Sequence, residues 1–90
     1  MAYSEDSLLC VLIEKIDSQG GHRLSPAERA EALRIAQGLP SKDAASVAGL
    51  SVQTIRTLRK LIYRKLRLGG SHELLSTLLQ ASLAMLASID

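Results

Sequence analysis

Aromatic residues and cysteine are scarce in this 90-residue chain, which has no phenylalanine, no tryptophan, two tyrosines and one cysteine. Since 47% of its residues are nevertheless apolar, its core must be built from leucine, isoleucine, valine and alanine, a composition that favours helices over strands. The single cysteine, Cys10, excludes an internal disulfide bond and argues against a thiolate metal site. We therefore expect a reduced, cytoplasmic protein in which Cys10, inside an apolar run, is a small core residue.

Long hydrophobic segments are also lacking. The apolar run at residues 8–13 is too short to cross a bilayer and follows two acidic residues rather than a basic segment, so neither a membrane helix nor a signal peptide is predicted. His22 and His72 are far apart and have no clustered acidic or thiolate residues beside them, and no pattern joins a nucleophile to a base. The sequence thus predicts no membrane contact, no metal or other cofactor, and no enzymatic activity.

Acidic residues are absent from residue 44 to residue 72, although the whole chain has a net charge of only +2. Residues 21–70 hold ten of the eleven Lys and Arg residues against three acids, an excess of +7, whereas both ends of the chain are acidic. A basic segment of this kind is typical of a surface that binds a polyanion, but a run of charge is more often a solvated face. The charge alone therefore leaves both interpretations open.

Several helix starts can be read from the sequence. Ser25, followed by a proline and by Glu28, is typical of a capping box with proline in the first helical position. Ser41, Ser51 and Ser71 offer three further N-caps, each ahead of a helix-sized piece.

Glycines mark the helix ends, and Gly38 and Gly49 suit the left-handed residue that follows a last helical turn. Apolar residues recur at helical spacing in the first, fourth and last pieces. The chain is therefore predicted to be all-α, with five helices at residues 4–18, 26–37, 42–48, 52–66 and 72–88.

The fourth predicted helix has two dissimilar sides. Ile55, Leu58, Ile62 and Leu66 step by three and four residues along one side, which predicts that this side packs on the core. The opposite side carries polar and mostly basic residues within a sector of about 120°. They are Gln53, Arg56, Thr57, Lys60, Tyr63, Arg64 and Arg67.

The third and fourth helices have the spacing of a helix-turn-helix. Ala45 is small where two helices would cross closely, and Gly49 permits the positive φ of a tight turn. Ile55 would anchor the second helix to the core. Three such residues can coincide by chance, so the spacing alone does not establish a helix-turn-helix.

The longer pattern from residue 24 to residue 68 resembles the DNA-binding domain of the LuxR/GerE family of bacterial transcription regulators, and no gap is needed to align the two. The resemblance rests on five groups of residues: Leu24-Ser25-Pro26 with Glu28-Arg29, Ala36-Gln37-Gly38-Leu39, Ser41-Lys42-Asp43 with Ala45, Gly49-Leu50-Ser51 with Thr54-Ile55, and Ile62-Tyr63-Arg64-Lys65-Leu66. The chain departs from the family at Glu31, where an apolar residue is usual, and at Arg67, where glycine is frequent. Leu58 stands where histidine is frequent, and Ser71 stands where many members have arginine.

The resemblance implies a four-helix helix-turn-helix domain at residues 23–90 with an extended last helix, preceded at residues 1–22 by an extra amphipathic helix for dimer or partner contact. It also implies that the fourth helix enters the major groove of double-stranded DNA. Arg56, Thr57 and Lys60 match base-reading positions of the family, and Gln53 lies on the same face. Residues better placed for phosphate, which fixes register without reading sequence, are Lys42, Thr54, Arg64 and Lys65.

The last helix is predicted to hold a homodimer together. Family members commonly dimerise through this helix, and here Leu75, Leu79, Ser82, Leu86 and Ile89 alternate at spacings of four and three residues, as in a coiled-coil seam. Its apolar face is wider than packing on its own core requires. We therefore expect a symmetric dimer centred on the four apolar residues, with the first helix contributing to the contact.

Only about twenty residues precede the family-like segment, too few for a sensory domain of the usual kind, so we expect a stand-alone regulator. The alternative is an interaction module, an anti-activator or adaptor that binds another transcription regulator through its apolar helices. The basic side of the fourth helix favours DNA binding, because a pure antagonist has no need to keep Arg56, Lys60, Arg64 and Arg67 away from acids.

Overall fold

Five helices make up the fold of the computed structural model, which describes residues 5–21 and 23–88. They are α1 (Glu5–Gln19), α2 (Pro26–Ala36), α3 (Ser41–Ala48), α4 (Val52–Leu66) and α5 (Ser71–Ala87). No strand occurs within these described ranges, so the predicted all-α fold is confirmed. The predicted bounds of α4 match the structure, and the described bounds of the other helices differ from the prediction by one residue.

Two of the predicted helix starts are confirmed. Ser25 Oγ accepts a hydrogen bond from the Glu28 backbone N–H at 3.1 Å, and Glu28 Oε1 accepts one from the Ser25 N–H at 2.7 Å. This is the capping box that the sequence indicated. Ser51 Oγ likewise accepts a hydrogen bond from the backbone N–H of Thr54, which caps α4.

The predicted caps at Ser41 and Ser71 are wrong. Both serines are the first residues of their helices, and Pro40 and Gly70 occupy the N-cap positions without a side-chain hydrogen bond. The helices begin one residue early because the carbonyls of Pro40 and Gly70 already accept the first i→i−4 hydrogen bonds, from Ala44 at 2.9 Å and from Leu74 at 3.1 Å.

A tight turn joins α3 to α4. Gly49 has φ +69°, the left-handed conformation expected for it, and its backbone N–H and that of Leu50 both donate to the carbonyl of Ala45. Ala45 and Ile55 are buried in one cluster between the two helices. The structure therefore contains the helix-turn-helix that the spacing of these residues predicted.

The main core lies among α1, α2, α4 and α5. Its buried residues are Leu12, Ile13, Ile16, Leu24, Ala32, Ile35, Ile62, Leu74 and Leu78. The predicted packing side of α4 is confirmed, since Ile55 and Ile62 are fully buried and Leu58 and Leu66 are partly buried. No helix within the described ranges is long and apolar enough to cross a membrane.

Two side chains differ from their predicted positions. Cys10 is exposed rather than in the core. It lies at the edge of the packed side of α1, about 60° around the helix from the buried Ile13 and about 160° from the buried Leu12. Tyr63, predicted on the polar side of α4, is half-buried against the main core. It sits beside the fully buried Ile62, at the edge of the polar sector.

Arg67 ends α4 in the left-handed conformation, with φ 59° and ψ 46°. It is the position at which the resembled family frequently has glycine. Among the described residues it is the one non-glycine residue with positive φ, a conformation that costs an L-residue roughly 1–2 kcal/mol.

Candidate nucleic-acid interface

The outward side of α4 is formed by the residues predicted to read bases. Gln53, Arg56, Thr57 and Lys60 are all exposed, on the side of the helix opposite the fully buried Ile55. The structure thus brings the four together on one accessible surface. Their contact with bases stays a prediction.

Two hydroxyl groups on this surface are engaged within their own helix. Thr57 Oγ1 donates to the backbone carbonyl of Gln53 at 3.1 Å, so its methyl group and oxygen lone pairs are what it can offer a ligand. Thr54, predicted to contact phosphate, is exposed at the start of α4, and its Oγ1 lies 2.8 Å from Ser51 Oγ.

Several exposed cations of α3 and α4 take part in no ion pair among the described residues. Those among the predicted site residues are Lys42, Arg56, Lys60 and Arg64. The ion pairs that form among the described residues involve a different set of cations: Arg29, Arg34, Arg59 and Lys65. Because the first set is not neutralised, it leaves a net positive potential over this part of the surface.

Lys65, the remaining predicted phosphate contact, is held by the protein itself. Its Nζ lies 2.7 Å from Glu28 Oε1, and the lysine side chain is 35% exposed while that of Glu28 is 4% exposed. Burial raises the pKa of Glu28, but hydrogen bonds from Lys65 and from Ser25 outweigh it, so the pKa lies below its ordinary value. The charge of Lys65 is therefore partly neutralised by Glu28, and the ion pair links α4 to α2.

A buried ion cluster behind α4 was missed by sequence reasoning. Glu31 is fully buried, and its two carboxylate oxygens each lie 2.7 Å from a guanidinium Nε, one of Arg34 and one of Arg59. Arg59 Nη2 also donates to the Leu39 carbonyl at 2.7 Å. These contacts hold the buried side of α4 against α2 and against the segment that leads into α3.

The sequence did contain a signal for this cluster. Arg59 comes four residues after Ile55 and three before Ile62, which places it on the buried side of α4 and outside the polar sector. Glu31 lies three residues before Arg34 and four before the buried Ile35, on the same side of α2. A cation and an acid that both fall on buried sides of neighbouring helices are expected to pair.

The predicted dimer contacts on α5 are exposed. Leu75, Leu79 and Leu86 have exposed fractions of 44%, 60% and 64%, and Leu83 beside them has 55%. Ile89, the fourth predicted contact, lies outside the described residues. The core instead uses another side of α5, through the buried Leu74 and Leu78 and the partly buried Ala81 and Met85.

Exposed apolar side chains also occur on α1, where Leu8 and Val11 have exposed fractions of 47% and 52%. Since α1 packs against α5 in the monomer, the two helices predicted to form the dimer contact are neighbours. Contact of α1 and α5 with a second copy of the chain stays a prediction.

No group of three or more His, Cys, Asp and Glu residues that could hold a metal ion occurs in the described part of the chain.

Among known proteins, the chain is similar to a protein of Aeromonas salmonicida that is provisionally named an HTH-type transcriptional regulator in the exeN 3′ region. The two are 37% identical over 73 residues, which are 81% of this chain and 37% of the relative. The chain thus spans little more than a third of its relative's length. No family model and no solved structure matches the chain, and the finer resemblance to the LuxR/GerE family stays a prediction.

Proposed function

We propose that the chain is a sequence-specific helix-turn-helix transcription regulator of the LuxR/GerE type, which binds the major groove of DNA as a homodimer in the bacterial cytoplasm. The observation that carries the proposal is the exposed side of α4, where Arg56, Lys60 and Arg64 lie on the second helix of a helix-turn-helix and take part in no described ion pair. The name of the Aeromonas salmonicida relative supports the same class of protein.

We assign the recognition of DNA bases to the first half of α4. Arg56 can donate two hydrogen bonds to the O6 and N7 acceptors of guanine, and Lys60 can reach one or both of them. The methyl group of Thr57 can contact the thymine methyl, and Gln53 can pair with adenine. The Arg59–Glu31 contact and the burial of Ile55 keep this helix in a fixed position, which base-edge contacts require.

Phosphate binding is assigned to residues around this surface. Lys42 and Arg64 are exposed cations, and Thr54 is an exposed hydroxyl-bearing residue in the first turn of α4. Lys65 contributes less, because Glu28 already neutralises part of its charge at 2.7 Å. Such contacts set the register of the protein on DNA and make its affinity depend on salt.

The dimer is assigned to the exposed side of α5, with α1 beside it. Contiguous exposed leucines are unfavourable in water, and a two-fold contact would cover the same stripe on both chains. A dimer of helix-turn-helix domains meets two half-sites about one helical turn of DNA apart, roughly 34–36 Å or a multiple of that distance.

The proposal is tested by selecting bound duplexes from a random-sequence pool with the purified chain at near-physiological salt. We expect enrichment of an inverted repeat whose half-sites are separated by whole helical turns. A matched selection with Arg56→Ala and Lys60→Ala combined should lose the enriched sequence while the folded helix content stays the same. If the unaltered chain enriches no sequence, it is not a sequence-specific regulator.

The exposed leucines of α5 also favour a second candidate, an interaction module that binds another transcription regulator through its apolar helices. This function needs no basic side on α4. It is favoured over DNA binding if no duplex is enriched and if Leu79→Asp, but not the Arg56→Ala and Lys60→Ala pair, abolishes the regulatory effect in cells.

A further inference from the structure

A basic cleft lies at the opposite end of α4 from the helix-turn-helix turn. It has a volume of about 420 Å³ and is bordered by the end of α1, the segment that follows it, the end of α4 and the side of α5. The residues that line it and bear on its chemistry are Ile16, Arg23, Lys65, Leu66, Arg67 and Thr77. Among the described residues that line the cleft, those with a charge are all cations.

The cleft is separate from the surface assigned to DNA bases. Lys65 follows Lys60 by five residues and is therefore rotated from it by about 140° around α4. Leu66, which lines the cleft, packs against the main core. Arg23 belongs to none of the helices and reaches the cleft from the segment between α1 and α2.

Arg67 lines the cleft and has an unfavourable backbone conformation. Its φ of 59° is a conformation that glycine adopts without steric penalty. The chain nevertheless has at this position a residue with a long cationic side chain, and Arg67 lines the cleft. Strain of this kind marks positions at which function is worth testing.

The lining groups favour one class of ligand. The guanidinium groups of Arg23 and Arg67 can each donate paired hydrogen bonds to phosphate oxygens. The Lys65 ammonium already donates a hydrogen bond to Glu28 at 2.7 Å, so it contributes less to phosphate binding. Ile16 and Leu66 are the apolar side chains among these lining residues, which suits them to contact a carbon skeleton. Thr77 Oγ1 donates to the Glu73 carbonyl at 2.8 Å, so its oxygen remains able to accept a hydrogen bond from a ligand hydroxyl.

We propose that this cleft binds a small phosphorylated metabolite of about the size of a nucleoside monophosphate. Arg23 and Arg67 hold the phosphate, Ile16 and Leu66 contact the apolar part, and Thr77 accepts a hydrogen bond from a hydroxyl such as that of a sugar. The volume lies within the range of small-molecule sites, which is roughly 300–1,000 Å³. The site goes beyond the proposed DNA binding and uses a different side of α4.

The test is a titration of the isotope-labelled chain with adenosine 5′-monophosphate, followed by amide NMR at low salt, with adenosine as the uncharged control. We expect saturable shifts at Gly20, Arg67 and Thr77 with the nucleotide and none with adenosine. Arg23→Gln and Arg67→Gly should each weaken binding by roughly tenfold, as expected when a hydrogen bond to a charged group is lost. Arg67→Gly also relieves the left-handed backbone, so its loss of binding cannot come from unfolding.

Arg56→Gln is the matched control, because it removes an exposed arginine from the other side of α4 and should leave nucleotide binding unchanged. The proposal is overturned if the nucleotide causes no saturable shift, or if Arg56→Gln weakens its binding as much as Arg67→Gly does. It is also overturned if Arg23→Gln and Arg67→Gly weaken duplex binding tenfold while the nucleotide does not bind, since the cleft would then hold a DNA phosphate.

Discussion

Arg59 donates a 2.7 Å hydrogen bond from Nε to the Glu31 carboxylate and so ties the middle of α4 to the middle of α2. The Glu31 side chain is fully buried, and that of Arg59 is only 14% exposed. The same guanidinium donates to the carbonyl of Leu39. One mostly buried arginine therefore holds the proposed recognition helix and the entry to α3 against the rest of the fold.

Neutralising Glu31 should destabilise the protein strongly. Glu31→Gln leaves Arg34 and Arg59, both mostly buried, without their anion. We expect the free energy of unfolding to fall by about 3 kcal/mol. Urea denaturation followed by circular dichroism measures the change. The matched control is Glu14→Gln, which alters an exposed ion pair with Arg29 and should cost less than about 1 kcal/mol. Equal effects of the two changes would show that the buried cluster contributes no more than the exposed pair.

The helices were predictable from the sequence because their determinants are local. The capping box at Ser25 and the positive φ of Gly49 depend on residues within one turn, and both are confirmed. The first residues of α3 and α5 were not predictable in the same way. Pro40 and Gly70 provide the first backbone acceptors there, so a serine at the next position does not have to cap the helix.

The site was only partly predictable, because side-chain pairing depends on how helices meet. The exposed positions of Arg56 and Lys60 follow from the period of α4 alone. The engagement of Lys65 by Glu28 joins residues 37 positions apart, and that of Arg59 by Glu31 joins residues 28 positions apart. Both require the packing of α2 against α4, which no local pattern specifies.

Arg67→Gly should stabilise the protein. The left-handed backbone of Arg67 is unfavourable for a residue with a Cβ, and its relief should raise the free energy of unfolding by about 1 kcal/mol, a value reduced by the greater flexibility of glycine in the unfolded chain. Denaturant midpoints measure the gain. Arg67→Ala removes the same charge but keeps the Cβ, so it should bring no gain. Equal midpoints for the glycine and alanine variants would contradict the backbone explanation.

Glu28→Gln should change how stability depends on pH. The folded-state pKa of Glu28 lies below its ordinary value of 4.5, so its stabilising effect is complete above that value. As the pH falls through 4.5, the unfolded chain takes up a proton first, and the stabilisation disappears once the pH drops below the folded-state pKa.

The measurement is a series of urea titrations from neutral pH down to about pH 3, spanning the range in which glutamate titrates. At neutral pH the variant should be less stable by up to about 1 kcal/mol, since glutamine keeps the capping box and loses the partly exposed pair with Lys65. The difference from the unaltered chain should shrink as the solution is acidified. A difference that stays constant with pH would mean that Glu28 does not titrate between the two states.

Leu79→Asp should separate the proposed dimer. Leu79 is 60% exposed on α5, and a carboxylate there would face its copy across a two-fold axis with no compensating partner. Sedimentation equilibrium at tens of micromolar should find a dimer for the unaltered chain and a monomer for the variant. Val47→Asp, a change at an exposed apolar residue of α3, is the control and should remain dimeric. A monomeric unaltered chain would refute the dimer.

Base contacts and phosphate contacts should respond differently to mutation. Arg56→Ala and Lys60→Ala should each reduce discrimination between the selected duplex and a scrambled one by about 1–3 kcal/mol, because they remove contacts to base edges. Lys42→Ala should weaken binding to both duplexes equally and flatten the slope of log affinity against log salt by about one, since one phosphate contact releases about one counterion. Fluorescence anisotropy over a salt series separates the two classes.

Arg29→Ala is the control for these measurements. It removes a cation that already pairs with Glu14 at 3.0 Å, and it should change neither discrimination nor slope. If the Arg56 and Lys60 variants bind every duplex as the unaltered chain does, α4 does not read DNA. The exposed leucines of α5 would then be the surface through which we expect the protein to act, because they are a contiguous apolar stripe that the fold does not use for its own core.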